Sequence, residues 1–337
     1  MIINPPPLAR AMLDAIEEPA LLLGDERTIA ANAAARQLLG EGIEGKNVRL
    51  AIRQPQALAT ILAAGNAELE VFGIGSPDRC WGLLVRPLET GLLLVRLSDR
   101  SALRATEKMR VDFVANASHE LRTPLSTIVG YAETLAEDGD LPAELRRKFG
   151  AAIHVEARRM LRIVEDLMSL SRIEAERFVL PSERLDLGEI VRIAAENGAP
   201  LAGRRDCEIE TVVEPGLPPI TGDFAQLLQL ADNLLGNAIR YGCIPEAPTV
   251  RIEAVRQGSE ALLVVIDEGE GVAAEHIPRL TERFYRVDAA RSRDSGGTGL
   301  GLAIVKHIVE RHRGSISISS APGRGTRVEV RLPLDLS

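Results

Sequence analysis

Residues 99–178 constrain the fold more than any other part of this chain. Glycine and proline nearly vanish there while charge rises. From Glu107 a heptad can be written, with Val114, Leu121, Ile128 and Leu135 in one row and Val111, Ser118, Leu125 and Ala132 in the other. That is an a/d seam on one long helix. The pattern breaks at 137–142, where Asp140 suits a helix cap and Pro142 sits near the next helical start. A second helix then carries Ile153, Met160 and Leu167 with Ile163 and Leu170. The pair predicts a helical hairpin with an apolar stripe that one partner helix leaves partly uncovered. Two hairpins joined as a four-helix dimer would cover it. A hairpin packed on its own chain is the plainer alternative.

The flanks read as globular domains of mixed type. The 337 residues suggest two or three domains at ~150 residues each. Before the hairpin, residues 8–98 alternate short apolar runs (Ala20-Leu-Leu-Leu, Leu83-Leu-Val, Leu92-Leu-Leu-Val) with an Ala-rich helical stretch around Ile29–Leu39. They predict a small α/β module with a sheet. After it, Pro181 and the charged segment Ser182–Asp186 read as a linker. Residues 186–334 then alternate helical and strand patterns. Ala261–Asp267 reads as a buried strand ending in an acid, and Ser315–Ser320 with Thr326–Leu332 as a closing antiparallel pair.

Composition removes several classes. Lys+Arg is 40 against Asp+Glu 48, a net charge of −8, which argues against a nucleic-acid binder or a polybasic membrane surface. The longest wholly apolar run, Ala261–Ile266, is far short of the ~20 residues of a membrane span. The chain as it stands therefore reads as cytoplasmic, and as membrane-tethered if an anchor precedes it. Three scattered cysteines, Cys80, Cys207 and Cys243, predict free thiols in a reducing compartment, with no disulfide framework or zinc site.

Four segments carry chemistry. In Ser118-His119-Glu120-Leu-Arg-Thr123-Pro124, His119 falls one position off the seam, on a solvent-facing flank. A lone helical histidine is usually surface. Here Glu120 can accept from one ring nitrogen and leave the other nucleophilic, and Thr123 lies four residues on, on the same face, where its hydroxyl can position a water. Pro124 removes a backbone donor and invites a bend. Second, Asn233, Asn237, Arg240 and Tyr241 recur at helical spacing after Asp223. Two asparagines beside an apolar stripe suggest a polar cavity, or an ordinary polar face; an amide oxygen suits Mg²⁺ held mostly by waters and phosphates. Third, Asp267-Glu-Gly269-Glu-Gly271 follows the buried strand. Its acid can accept from an exocyclic amine and its glycines admit a flat ring, although alone the segment is also a plain turn. Fourth, Gly296-Gly297-Thr-Gly299-Leu300-Gly301 opens onto an amphipathic helix, which suits phosphate. No Walker lysine follows, so it is not a P-loop. Before it, 283–295 reads as a mobile lid.

Taken together, these segments resemble the sensor histidine kinases of two-component systems. The 118–125 segment matches the phosphoacceptor box, Asn233/Asn237 the N box, and Asp267–Gly271 the first glycine box. Phe284 matches the F box, Gly297–Gly301 the second glycine box, and Gly325-Thr326 the last. They occur in family order over about two thirds of the chain. The resemblance implies a multidomain α+β protein. A PAS-like sensor would occupy 8–98, a dimerising phosphotransfer hairpin forming a four-helix bundle 99–180, and an ATP-binding α/β sandwich of the gyrase, Hsp90 and MutL type 186–334. It implies that His119 takes phosphate from Mg-ATP, with Glu120 as base, and passes it to an Asp of a response regulator of the OmpR/PhoB type. Thr123 and Glu120 would also promote dephosphorylation of that regulator.

In the ATP site it implies that Asp267 reads adenine and that Gly269 and Gly271 shape the pocket. Asn237 would hold Mg²⁺ with Asn233 nearby. Arg240, Tyr241 and Arg286 would meet phosphate, and Gly297, Gly299, Leu300, Gly301, Phe284 and Thr326 would complete the site. Related ATPases place a water-activating Glu where Asn233 stands, which favours transfer over hydrolysis. The domain order resembles that of phosphate-regulon sensors. Two rivals stay open: a regulator-binding scaffold without catalysis, and a hydrolysing ATPase of the same fold. Cys80 and Trp81 read as core or as the lining of a sensor pocket. His154, His276, His307 and His312 suggest no partners, and the last two read as surface.

Overall fold

The computed structural model describes residues 7–88, 91–137, 141–176, 179–288 and 297–335. Asp140, Ala289–Ser295 and Gly296, read above as a cap, part of a lid and a loop glycine, lie outside them. The chain divides into two compact units, 1–114 and 115–337.

The first unit contains helix α1 (Pro7–Asp14), strands β1 (Ala20–Gly24) and β2 (Arg27–Ala31), and helices α2 (Ala33–Leu39), α3 (Val48–Ala51) and α4 (Pro55–Leu62). Strands β3 (Ala67–Phe72), β4 (Cys80–Pro87) and β5 (Leu93–Asp99) follow. They form an antiparallel sheet in the order β2-β1-β5-β4-β3. The β1–β2 hairpin turns on Asp25 and Glu26, both at positive φ, as a two-residue turn matching strand twist requires. The run at β1 is buried on both faces, and period two sorts it. Leu21 and Leu23 join a large core with Trp81, Leu83, Val85 and Val95, to which α2 and α4 contribute. Ala20 and Leu22 join Leu13 of α1 on the opposite face.

The stretch read as helical from Ile29 divides at Asn32. Ile29–Ala31 belong to β2, and Asn32 caps α2 by accepting from the Ala35 N–H at 2.9 Å. Its amide nitrogen donates to the carbonyls of Ile16 and Glu18, so this buried amide is fully used. Cys80 and Trp81 are core residues, and the Trp81 indole donates to Ile74 O at 2.9 Å.

Helix α5 (Ser101–Glu137) continues into the second unit, where α6 (Ala143–Ala175) follows it. Ile163, Leu170 and Ile173 of α6 are buried, whereas Leu125, Val129, Val155, Leu161 and Met168 are exposed on the single chain. The segment read as a linker contains a strand instead. β6 (Glu183–Leu185) pairs with β8 (Ile220–Gly222), because the isolated apolar Leu185 can then take its backbone partners from a neighbouring edge.

The rest is an α/β sandwich. Helix α7 (Leu187–Gly203) and strand β7 (Glu208–Val213) precede β8; helix α8 (Phe224–Asn237) runs directly into a π-helical turn, Ala238–Gly242. Then come β9 (Thr249–Gln257), β10 (Glu260–Asp267), a 3-10 turn (Ile277–Arg279), α9 (Gly301–Arg311), β11 (Ser315–Ser320) and β12 (Thr326–Pro333). The sheet runs β11-β12-β10-β9-β7, with β7 parallel to β9 and the other pairs antiparallel. β10, the most apolar strand, is central, and β11–β12 is the antiparallel pair read from the sequence. Among the described residues no helix is long and apolar enough to cross a membrane.

Two expectations are corrected here. Cys207 and Cys243 form a disulfide, their Cα atoms 5.9 Å apart, while Cys80 is a buried free thiol. The packing of α7 against α8 brings the chain after each helix together. A separation of 36 residues hides that proximity in sequence. His312 is not surface: it is 4% exposed, between the end of α9 and the start of α8. Its Nε2 accepts from the Asp223 N–H at 2.9 Å, and its Nδ1 bonds Ile308 O at 2.8 Å. Asp223 in turn caps α8 and takes Arg311 at 3.2 Å.

That histidine makes a pH prediction. Burial holds the His312 pKa below its ordinary value of 6.5, and neighbouring Arg311 adds to this. The unfolded chain then takes the proton first, so stability is full above about pH 6.5 and falls as pH drops below it. Each such histidine can contribute up to ~1.4 kcal/mol per pH unit. Urea unfolding of the wild type is expected to weaken from about pH 7.5 to about pH 5.5, and His312→Gln, whose amide can still accept from Asp223, to show a flatter profile. Equal slopes for both chains would remove His312 as the cause.

Candidate nucleotide and phosphoacceptor site

The second unit holds a cavity of about 390 Å³ beside α8, of the size that suits a small ligand. Its walls follow from three local features. On α8, Asn233 and Asn237 lie four residues apart and share a face. The helix then widens into its π turn, which carries Arg240 and Tyr241 to the same cavity. At the end of β10, Asp267 Oδ1 accepts from the N–H groups of Gly269 (3.0 Å) and Thr326 (3.2 Å). Burial raises the Asp267 pKa, and these two bonds oppose the shift. Gly297, Thr298 and Gly299 before α9, with Gly301 at its first position, form the third wall.

Of the residues singled out from sequence, Asn233, Asn237, Arg240, Tyr241, Asp267, Gly271, Arg286, Gly297, Gly299, Gly301 and Thr326 line this cavity. Gly269, Phe284 and Leu300 stand behind the wall. A side chain at Gly269 would lie 2.5 Å from the Gly242 Cα, so this glycine lets two backbone segments meet beneath Asp267. That corrects the expectation that it opens space for a flat ring. Phe284 acts through its backbone. At φ 64° its N–H donates to Gly299 O at 2.8 Å, and a Cβ on Gly299 would lie 2.9 Å from the Phe284 Cα. The pair pins the glycine loop. Leu300 is buried under it, its N–H on Thr298 Oγ1.

Sequence reasoning missed Arg162, Asp166, Tyr285 and Thr298, which also line the cavity. Thr298 donates to Asp166 Oδ2 at 2.7 Å. Tyr285 pairs with His276 Nδ1 at 2.6 Å and lies under Arg279, so His276 does have a partner. His307 likewise lies by Glu174 and Arg283. Thr298 was available within the glycine run. Nothing in the sequence marked Arg162 or Asp166 apart from other charges on a helix.

The cavity fits a polyphosphate nucleotide. Leu234, Val265, Val272, Leu280, Ile318 and Val328 offer an apolar wall with Asp267 as acceptor among them. Arg162, Arg240 and Arg286 supply positive charge. Burial lowers the Arg240 pKa, a sign of how far its guanidinium is withdrawn from water. Asn233 Nδ2, Arg162 Nε and Arg286 Nε are buried donors with no partner among the described residues, and such groups call for an acceptor. For a cation the fit is of another kind. No group of three His, Cys, Asp or Glu able to hold a metal occurs among the described residues. A Mg²⁺ ion here would rely on ligand phosphates, waters and the Asn237 amide oxygen.

The phosphoacceptor segment lies on α5. His119 is exposed, as are the seam residues Val111, Val114, Ser118 and Leu125 on the single chain. Its neighbours are engaged otherwise than expected. Glu120 Oε2 accepts from Arg159 at 3.1 Å and Arg286 at 2.9 Å, so two guanidiniums hold the carboxylate that was expected on the imidazole. The Thr123 hydroxyl donates to the His119 carbonyl at 3.3 Å; it spends its proton on the helix backbone. Arg286 therefore touches both the cavity and the residue next to His119.

The sequence pattern of the histidine kinase-, DNA gyrase B- and HSP90-like ATPases matches residues 222–336, and that of the His kinase A phospho-acceptor domain matches 109–176. The phosphate regulon sensor protein PhoR of Pseudomonas aeruginosa is 40% identical over 237 residues, covering 70% of this chain and 52% of that protein. The sensor-like histidine kinase SenX3 of Mycobacterium tuberculosis is 35% identical over 300 residues, covering 89% of this chain and 68% of that one. The chain thus spans about half the length of PhoR and two thirds of SenX3. In fold it is similar to histidine kinase ThkA, solved in complex with response regulator protein TrrA, at TM-score 0.56 and 17% identity over 96% of this chain and 98% of that one. With a phosphoacceptor hairpin joined to an ATPase-type sandwich, and with SenX3 as a relative along most of its length, the chain belongs to the sensor histidine kinases.

Proposed function

We propose that this chain autophosphorylates His119 from Mg-ATP and passes the phosphoryl group to an aspartate of a response regulator. One observation carries the reading: Arg286 lines the nucleotide cavity and bonds Glu120, the residue beside His119. A single side chain thereby links the cavity to the residue next to the acceptor. A neutral imidazole nitrogen attacks the γ-phosphorus, a P–N bond forms, and the bond to the β-phosphate oxygen breaks as ADP leaves. Asp267 orients the base, while Arg240 and Arg286 meet the charge that develops on phosphate oxygens. Asn237, with Asn233 beside it, would hold Mg²⁺, which would supply charge neutralisation on the phosphate oxygens. Glu120 serves as base once it is released from Arg159 and Arg286. The same carboxylate and Thr123 promote dephosphorylation of the regulator.

The exposed apolar side chains of α5 and α6 suit a second hairpin, so the working unit is a homodimer. Residues 8–98 act as a PAS-like sensor whose signal leaves through the start of α5. The name of the PhoR relative supports phosphate-regulon signalling, and the regulator we propose is of OmpR/PhoB type. Incubation with γ-labelled Mg-ATP is expected to give an acid-labile, alkali-stable label on the chain that chases onto a regulator. Steady phosphate release without label would instead mark a hydrolysing ATPase. Nucleotide binding without label or turnover would mark a scaffold.

A further inference from the structure

The nucleotide cavity is not built by the catalytic sandwich alone, because Arg162 and Asp166 of the hairpin helix α6 also line it. Three observations define what these residues can do there. Thr298 donates to Asp166 at 2.7 Å, which fixes that part of α6 against the glycine loop. Arg162 Nε is buried with no partner among the described residues. Burial pushes the Asp166 carboxyl up, while the Thr298 bond and the nearby Arg240 and Arg162 guanidiniums oppose it and Glu165 adds to it, so Arg162 stands beside this carboxylate without its Nε being taken up. This corner therefore keeps an unused guanidinium donor facing the cavity after its own contacts are made. A guanidinium whose Nε is buried and unpaired among the described residues suits an anionic ligand oxygen, and its fork matches phosphate.

We infer that Arg162 is a phosphate-contacting residue contributed by the phosphotransfer hairpin, so that the hairpin completes the nucleotide site when the sandwich is docked on it. The inference rests on the nucleotide reading of the cavity and adds a residue outside the ATPase-type sandwich. Its consequence is a coupling: phosphate in the cavity draws α6 in, and docking of α6 tightens the grip on phosphate. Asp166 has a positioning role, holding the loop through Thr298 and leaving Arg162 for the ligand.

The test uses the full chain. Binding of Mg-ATP and of adenosine is measured for the wild type, Arg162→Gln and Arg162→Lys. Arg162→Gln is expected to weaken Mg-ATP about 10- to 100-fold and to leave adenosine unchanged. Arg162→Lys restores the charge and recovers part of the loss. A packing role would move both ligands together, so equal weakening of ATP and adenosine overturns the inference, as does unchanged ATP binding. A wild type that binds neither ligand overturns the nucleotide reading itself, which separates the two failures.

Discussion

His119→Gln is expected to lower phosphohistidine labelling at least about a thousandfold while leaving the Mg-ATP dissociation constant within about twofold. The separation follows from where the residue stands. His119 is exposed on α5 and does not line the cavity. A glutamine there is a good helix former on a solvated face, so the cost to stability stays within about 0.5 kcal/mol. What disappears is the ring nitrogen lone pair proposed to attack phosphorus; an amide nitrogen, delocalised into its carbonyl, cannot replace it. Parallel labelling and nucleotide titration of the two chains check this. Undiminished label on the variant would remove His119 as the acceptor. Loss of both label and ATP binding would show that the substitution acted through the fold.

Local pattern made much of this protein legible, and non-local contact explains what it hid. The heptad rows announced α5 and α6, and the apolar run ending in an acid announced β10 and placed Asp267 at its mouth. Period-two alternation announced β11 and β12. Each signal is carried by neighbours a few residues apart. The missed features depend on partners far away. Cys207 meets Cys243 because α7 packs on α8, and His312 is buried because the end of α9 abuts the start of α8. Arg162 and Asp166 reach the cavity through docking of α6 and α9, which nothing in their own segment encodes. The glycines show a subtler limit. The sequence marked Gly269 and Gly299, but the structure uses both for close backbone packing around Asp267 and Phe284. A glycine states that something comes close without stating what. Glu120 is similar, since adjacency to His119 suggested the imidazole and the fold supplied two arginines.

Asp267→Asn is the substitution expected to separate recognition of the base from stability of the fold. Asp267 makes both of its backbone contacts through Oδ1, from Gly269 and Thr326. Asparagine retains that oxygen, so neither buried N–H loses its acceptor. It also removes a carboxylate whose charged form burial disfavours, so the folded state gains slightly or is unchanged. The second oxygen, which is left for a ligand, becomes an NH₂ group. An adenine amine would then meet a donor where it needs an acceptor. Losing that bond and leaving two donors opposed costs roughly 3–4 kcal/mol, or about 100- to 1,000-fold in ATP affinity. A purine with a 6-oxo group presents an acceptor at the same place, so the variant should lose far less affinity for inosine triphosphate than for ATP. Titrations of both nucleotides, with thermal unfolding as the control, decide the matter. Equal losses for the two nucleotides would mean that Asp267 supports the pocket wall without reading the base. Unchanged ATP affinity would place the base elsewhere in the cavity.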